Sequence, residues 1–443
     1  MNFKDIILQF LGLQDVIIED IKIFRKDLRA EVKVRQDRDE CFCKKCGLQF
    51  SGVHQWEFKK IKGPPMGVIN EVTIKLYQLR GYCDDCDTTG LAELGWLHPK
   101  FKSMTCGYAE VAGRLMEEIT CEAVGRIMGS HSKIMWDLDQ WRMELMLTHL
   151  ELPKGIDVTF LSADEVHFRT LRVEKRKGLW AKRWKAEFIT NLVCYAEGKV
   201  LFNATGRDSK ALSHCLKVLS PGQKLAVEKF AVDMHDPFIS VVKKELPNAE
   251  VCVDRYHLAA QVNKAFDSVR RSEFRKAREA KNEFVHDMLL PHRRFILVAR
   301  EKDLSKAETK LLDKLRTVNK EIHTAMLLVE YFHSALDKTK IKSFRDALKT
   351  WYLVARESKL KPFLALAKTI RKYRRAIEAY IKSRLTTAVS EGLNNKIKTL
   401  KRMGYGYTNP TSFKRKILQR CGYLNHLHIN TDDFFFKVPN QAF

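Results

Sequence analysis

Long apolar runs are missing from this 443-residue sequence. None approaches the ~18 residues that a membrane-spanning helix needs, so no membrane partner is expected. The opening "MNFKDIILQFLGLQ" is broken by Asp5 and Gln9. It has no positive start and no small-residue cleavage site, so it makes a poor secretory leader and a cytoplasmic location is expected. Negative charge is scarce as well. Asp and Glu number 54 against 79 Lys and Arg, a formal net charge of +25. An excess of that size describes partners rather than fold and selects polyanions, nucleic acid above all. A hydrophobic content of 45% excludes a disordered basic tail. Glycine is absent from Leu258 to Ile381, where the only prolines are Pro291 and Pro362. That span is expected to be nearly all helical, an antiparallel bundle with solvated charged faces.

Eleven cysteines are present. In a chain this long, without a leader, they point to thiols and metal rather than a disulfide framework. "CFCKKC" at 41–46 and "CDDC" at 83–86 supply two C-x-x-C pairs, Cys43 with Cys46 and Cys83 with Cys86. Each pair places two thiolates on one side of a tight knuckle, and two facing knuckles make a closed tetrahedral Zn²⁺ site. Gly47 follows the first pair, where the turn often needs positive φ. The intervening "EVTIKLYQLRGY" alternates like a strand, and a β-hairpin would bring the pairs together. Cys41 and His54 are spare ligand candidates.

Length suggests two to four domains. Residues 1–98 are expected to form a zinc-binding β domain, and 99–150 a helix-turn-helix. "CGYAEVAGRLMEEIT" has helical apolar spacing at Tyr108, Val111, Ala112 and Leu115. Thr120 is a plausible N-cap for a second helix with Ala123, Val124 and Ile127 inward. Gly129 and Ser130 break it, and a recognition helix is expected to begin near His131, presenting Ser132 and Lys133.

From 151 the pattern changes to a mixed α/β domain running to 443, with the helical insertion at about 270–372. "IDVTFLSADEVHF", "WKAEFITNLVCYAE" and "KVLFNATGR" read as three strands; a helix, a strand, a helix and the strand "AEVCVDRYH" follow. Asp164 lies in the first strand and Asp233 ends the fourth. If these strands are neighbours, the two acids share one edge, and paired acids are costly unless a hard divalent cation lies between them. Asp254 and His257, at the end of the fifth strand, are possible accessories. Near the other end, "EGLNNKIKTLKRM" is a helix. With about 100° per residue, Asn395, Lys398 and Arg402 share the face of Glu391, and Leu393, Ile397 and Leu400 oppose it. A carboxylate, an amide and cations on one stripe, with Lys401 beside it, fit a metal ligand followed by a phosphate track. Gly404 and Gly406 of "GYGY" end the helix beside aromatic surface.

These pieces, in this order, resemble the ISL-three family of bacterial insertion-sequence transposases. The resemblance rests on the paired knuckles, the helix-turn-helix, "ADE" at 163–165, "VDMHDPF" at 232–238, "VDRYH" at 253–257 and "EGLNNKIKTLKRMGYGY" at 391–407. The sequence departs from the family in a longer stretch, "RTLRVEKRKGLWAKRW" at 169–184. The resemblance implies a ribonuclease-H-like catalytic domain whose triad, Asp164, Asp233 and Glu391, binds two Mg²⁺ (or Mn²⁺) ions. It implies metal-assisted cleavage and strand transfer on double-stranded DNA, with the zinc domain and helix-turn-helix holding the inverted-repeat ends. It also implies a homodimer or larger assembly on DNA, associated with the bacterial nucleoid. The alternative is a zinc-dependent DNA-binding regulator whose catalytic domain has decayed.

Overall fold

The computed structural model describes residues 3–173, 183–299, 304–385, 388–404 and 406–424. The chain forms two compact units, Met1–Glu151 with Thr399–Phe443, and Leu152–Lys398. Among the described residues no helix is long and apolar enough to cross a membrane.

In the first unit a helix, Phe3–Leu11, precedes five strands: β1 (Val16–Phe24), β2 (Arg29–Gln36), β3 (Gly52–Gly63), β4 (Glu71–Cys83) and β5 (Thr88–Leu91). Their order is β1-β2-β4-β3, with β5 also on β4. Alternation along β2 and the first half of β4 sends Val32, Val34, Ile74 and Leu76 to one face, where they meet Leu11, Ile18, Ile61 and Trp96. The β3–β4 pair is the antiparallel hairpin expected between the knuckles; its register sets Gly52 against Tyr82, one residue before Cys83.

Three helices follow: Cys106–Glu118, Cys121–Ile127 and Ser132–Thr148. Their N-caps are Thr105, Thr120 and His131, whose side chains accept from the amides of Tyr108, Ala123 and Lys133. Tyr108, Ala112, Met116, Val124, Met135 and Leu138 form their common core. Ile127, expected inward, is 47% exposed. The helix ends at that residue, and Met128 takes the buried place after it. The turn into the third helix depends on two glycines. Gly129 has φ +59°, and a Cβ on Gly125 would stand 2.7 Å from the Ser130 carbonyl.

The sequence expectation ran the third domain from 151 to 443; by packing, the last described helix falls in the first unit. The described residues from Thr399 onward belong to the first unit, and charge burial explains why. On the Pro410–Cys421 helix, Lys416 is buried and its Nζ donates to Asp139 Oδ2 (2.8 Å), the Met116 carbonyl (2.8 Å) and Gln419 Oε1 (2.7 Å). Gln419 Nε2 donates to the other Asp139 oxygen at 3.1 Å. Asp139 is fully buried, so these donors are what make its position tolerable. The aromatic surface after the basic helix packs here too: the Tyr407 ring lies 4.8 Å from that of Phe413 and 6.0 Å from that of Trp136.

The second unit is built on β6 (Phe160–Val173), β7 (Arg183–Cys194), β8 (Lys199–Thr205), β9 (Lys229–Val232) and β10 (Glu250–Val253), ordered β10-β9-β6-β7-β8. β6, β7 and β8 are an antiparallel meander; β9 runs parallel to β6, and β10 parallel to β9. Gly198, at φ +60°, makes the β7–β8 turn. Of the long segment at 169–184, residues 174–182 lie outside the described residues. β10 leads directly into the helical insertion, whose helices run from Arg255–Glu279 to Arg374–Ser383, wider than the expected 270–372. Its core includes Phe266, Phe332, Phe344, Trp351 and Phe363, and Trp351 Nε1 donates to the Leu328 carbonyl at 2.8 Å. Glu378 accepts two bonds from Arg345 (3.0 and 2.7 Å) and one from Arg374 (2.8 Å), and the Arg345 bonds foremost pull its carboxyl down to about 2.

Candidate active site

The parallel pairing of β6 with β9 sets Ser162 opposite Ala231. Two residues beyond this pair lie Asp164, still within β6, and Asp233, the first residue after β9, and Asp233 is near enough to act on the Asp164 carboxyl. Val232 and Val253 are partners in the next pair, which puts Asp254 beside Asp233 in turn. Asp254 is a helix cap: its Oδ2 accepts from the Tyr256 amide at 3.1 Å and starts the Arg255–Glu279 helix. That start places His257 in the first turn, with Nδ1 3.5 Å from Asp233 Oδ1.

The Ala388–Met403 helix carries the third acid. It is fastened to β6 at two points. Ser390 Oγ and Ser162 Oγ share a buried hydrogen bond of 2.6 Å, and Asn394 Nδ2 donates to Asp164 Oδ2 at 2.6 Å. Four helical residues rise about 6 Å and two strand residues about 6.6 Å, so the contacts keep step along the two elements. Glu391 lies between these anchors, in the first turn of the helix, where the dipole favours an acid. Its Oε1 is buried and has no hydrogen-bond partner among the described residues.

The polar lining extends across the sheet. Asp164, Asn191 and Asn203 are successive cross-strand partners on β6, β7 and β8. Asn191 is fully buried, and neither atom of its amide has a hydrogen-bond partner among the described residues. A buried polar group without a partner is rare and marks a place where an ion or water belongs. A carboxylate oxygen and an amide in that condition, beside Asp164, are donors that fit a hard cation. The three carboxylates are nonetheless spread more widely than the cysteines. Among the described residues only the four thiols form a group whose donor atoms all lie within 4.8 Å of one another.

Burial pushes the Asp164 carboxyl up and Asp233 adds to this, while the Glu165 amide, His257 and Lys398 oppose it. Lys398, expected on the phosphate track, therefore acts on this site. Asn395, expected there too, is exposed; Asn394 makes the link to Asp164. Lys401 is half-buried, and exposed Arg402 donates to Thr399 Oγ1 at 3.0 Å. Ser132 and Lys133 are exposed at the start of their helix, with Lys133 Nζ 2.6 Å from Asp137. Sequence reasoning passed over Glu165, which burial, with Asp164 and Asp233, pushes up to about 7. It also passed over Asn191, whose signal was a lone amide inside the apolar run "FITNLVC".

At the other candidate site, Cys43, Cys46, Cys83 and Cys86 converge, with Cys46 Sγ 3.5 Å from Cys83 Sγ. Gly47 has φ +76° in the first knuckle. A hydrogen bond with Cys46, together with burial, pushes the Cys86 thiol up to about 12, while the Cys46 and Lys45 amides draw Cys43 down to about 7. Thiols crowded in this way suit a shared soft cation. Neither spare candidate joins them: Cys41 is buried with its Sγ on the Asp37 carbonyl at 3.0 Å, and His54 is exposed.

The molecule is thus a multidomain α+β protein with a four-cysteine cluster and an acid-lined strand edge. Its family follows from comparison. The model of the DDE_Tnp_ISL3 family, described as "Transposase", matches residues 180–417, more than half of the chain. The chain belongs to this family, the ISL-three insertion-sequence transposases. It is 23% identical over 379 residues to the transposase for insertion sequence element IS1001 of Bordetella parapertussis, covering 85% of this chain and 87% of that protein. It is 24% identical over 241 residues to the transposase for IS1557 of Mycobacterium tuberculosis, covering 50% of this chain and 54% of that one. Among solved structures it is similar to the Drosophila P element transposase strand transfer complex, at TM-score 0.36 and 10% identity, over 74% of this chain and 93% of that one.

Proposed function

We propose that this protein binds the inverted-repeat ends of its own insertion sequence and cleaves and joins DNA strands there, using Asp164, Asp233 and Glu391. The observation that carries the reading is Asp164 on β6 with Asp233 just past the end of its parallel neighbour β9, beside a helix that bears Glu391 and is tied to Asp164 through Asn394. A meander followed by two parallel strands supports a ribonuclease-H-like catalytic domain.

Asp164, Asp233 and Glu391 would hold Mg²⁺ or Mn²⁺, which when bound neutralises charge on the transferring phosphoryl group and acidifies a water. The chain's own groups arrange the rest. Asn394 and the Glu165 amide each donate to one Asp164 oxygen, fixing the carboxylate's orientation. His257 sits against Asp233, where it can accept or release a proton beside the reacting phosphate. Lys398 draws the DNA backbone toward the acids. Cys43, Cys46, Cys83 and Cys86 would hold Zn²⁺ and fix the sheet of the first unit, and Ser132 and Lys133 start the helix that reads the DNA end.

The decisive experiment compares Asp164→Ala, Asp233→Ala and Glu391→Gln with the wild type on duplexes carrying the element's ends. Loss of Mg²⁺-dependent nicking with end binding intact supports the reading. Retained nicking in any of the three removes that residue from the site, and a wild type that binds ends without cutting is a regulator instead.

A further inference from the structure

The helical insertion is not neutral scaffolding. Residues 341–375 hold eleven Lys and Arg against two acids, Asp346 and Glu357. Four of these cations line one groove of about 630 Å³ between the Ile341–Glu357 and Lys361–Lys372 helices, with no acid among its lining residues. The groove is written in the sequence of both helices. Lys349, Tyr352, Leu353 and Arg356 fall at i, i+3, i+4 and i+7 of the first; Leu364, Ala367, Lys368 and Arg371 fall at the same spacing on the second. Each set is one helix stripe. The turn between the helices is tight, with Lys359 at φ +51°, and it makes the stripes face across the groove.

The cations are available. Arg345 and Arg374 are spent on Glu378, Lys372 on Asp236, and Lys349 lies 3.9 Å from Asp346. Arg356, Lys368 and Arg371 have no carboxylate partner among the described residues, and all three are exposed. Arg371 instead lies over the Tyr352 ring, 5.2 Å from its centre. The Tyr352 hydroxyl is buried in the groove wall with no hydrogen-bond partner among the described residues.

We propose that this groove is a second DNA-binding surface, which grips the sugar-phosphate backbone of a duplex without reading its sequence. This rests on the proposed action on DNA. A stripe from i to i+7 spans about 10 Å, roughly the axial length of three phosphates on one strand. Cations on both walls face them, and Leu353 and Leu364 meet the sugars. Groups that contact only backbone confer affinity and register, not specificity.

The test uses the full chain and a duplex of arbitrary sequence, with affinity measured by fluorescence anisotropy across a salt series. Substituting Arg356→Gln, Lys368→Gln and Arg371→Gln together should make the slope of log K against log salt shallower by about 2–3, by the same amount on end and non-end duplexes. The charge-conserving set Arg356→Lys, Lys368→Arg and Arg371→Lys should keep the wild-type slope. All three side chains are exposed, so the melting temperature should not move and a folding defect is separable. If the wild type binds duplexes and the neutral variant keeps its slope, the groove assignment is overturned while the action on DNA stands. If the charge-conserving set loses as much as the neutral one, the groove is not electrostatic and the assignment falls as well. A wild type that binds no duplex overturns both.

Discussion

Asn394 donates its amide to Asp164 across 2.6 Å, joining a helix to a strand 230 residues earlier in the chain. With the Glu165 amide on the other oxygen at 2.7 Å, both Asp164 oxygens have a fixed donor. Asn394→Ala should therefore reduce strand cleavage at limiting Mg²⁺ by about 10–100-fold, with partial recovery at high Mg²⁺. Asn394→Asp should do worse, because it sets a carboxylate against a carboxylate. Cleavage measured across a metal titration, beside unchanged DNA affinity, checks both.

Glu391→Gln keeps the shape of the side chain and removes its charge. The buried Oε1, without a partner among the described residues, argues that the charge has a purpose. Cleavage should fall below detection while the melting temperature holds or rises. A variant that still cleaves would exclude Glu391 from metal binding.

The cysteine cluster separates two neighbouring thiols. Cys46→Ser should abolish binding of about one zinc per chain and loosen the first unit; Cys41→Ser should leave the zinc content unchanged. Metal analysis of the purified variants decides it, and loss of zinc in Cys41→Ser would contradict the ligand set.

His98 gives the first unit an acid sensitivity. It is buried, and its Nδ1 accepts from the amides of Lys100 (3.1 Å) and Phe101 (2.9 Å). Burial lowers its pKa from 6.5 to about 4. The unfolded chain takes up the proton first, so the stabilisation is complete above about pH 6.5 and is lost as pH falls toward 4. Its size is on the order of 3 kcal/mol. His98→Gln, which can still accept those amides, should flatten the stability profile across that window in denaturant titrations.

Removing one partner from the Lys416–Asp139 pair should be far worse than removing both. Lys416→Met leaves a fully buried carboxylate and should cost roughly 3–5 kcal/mol; Lys416→Met with Asp139→Leu should recover most of it. Melting of the three proteins is the measurement.

Much of this architecture was legible in the residues. The two C-x-x-C pairs, the Thr120 cap, the Gly198 turn and the glycine-free helical span all follow from local chemistry, and each appears at its place. What escaped depends on contacts between distant segments. The helical wheel put Asn395 on the Glu391 face, yet the sheet meets the boundary of that face, where Asn394 lies. No single-helix pattern reveals which boundary turns toward β6. Asn191 was hidden for a similar reason, since its neighbour Asp164 lies on another strand. The return of the chain to the first unit was invisible because Lys416 looks like any surface lysine until Asp139 is placed beside it.

That last contact also has a schedule. Asp139 leaves the ribosome 277 residues ahead of Lys416. At about 5–20 residues per second, the interval is roughly 14–55 s. Throughout it, the helices that carry Ser132 and Lys133 lack the cation that makes Asp139's burial tolerable. A nascent chain therefore acquires its finished first unit only after Asp164, Asp233 and Glu391 have all been synthesised.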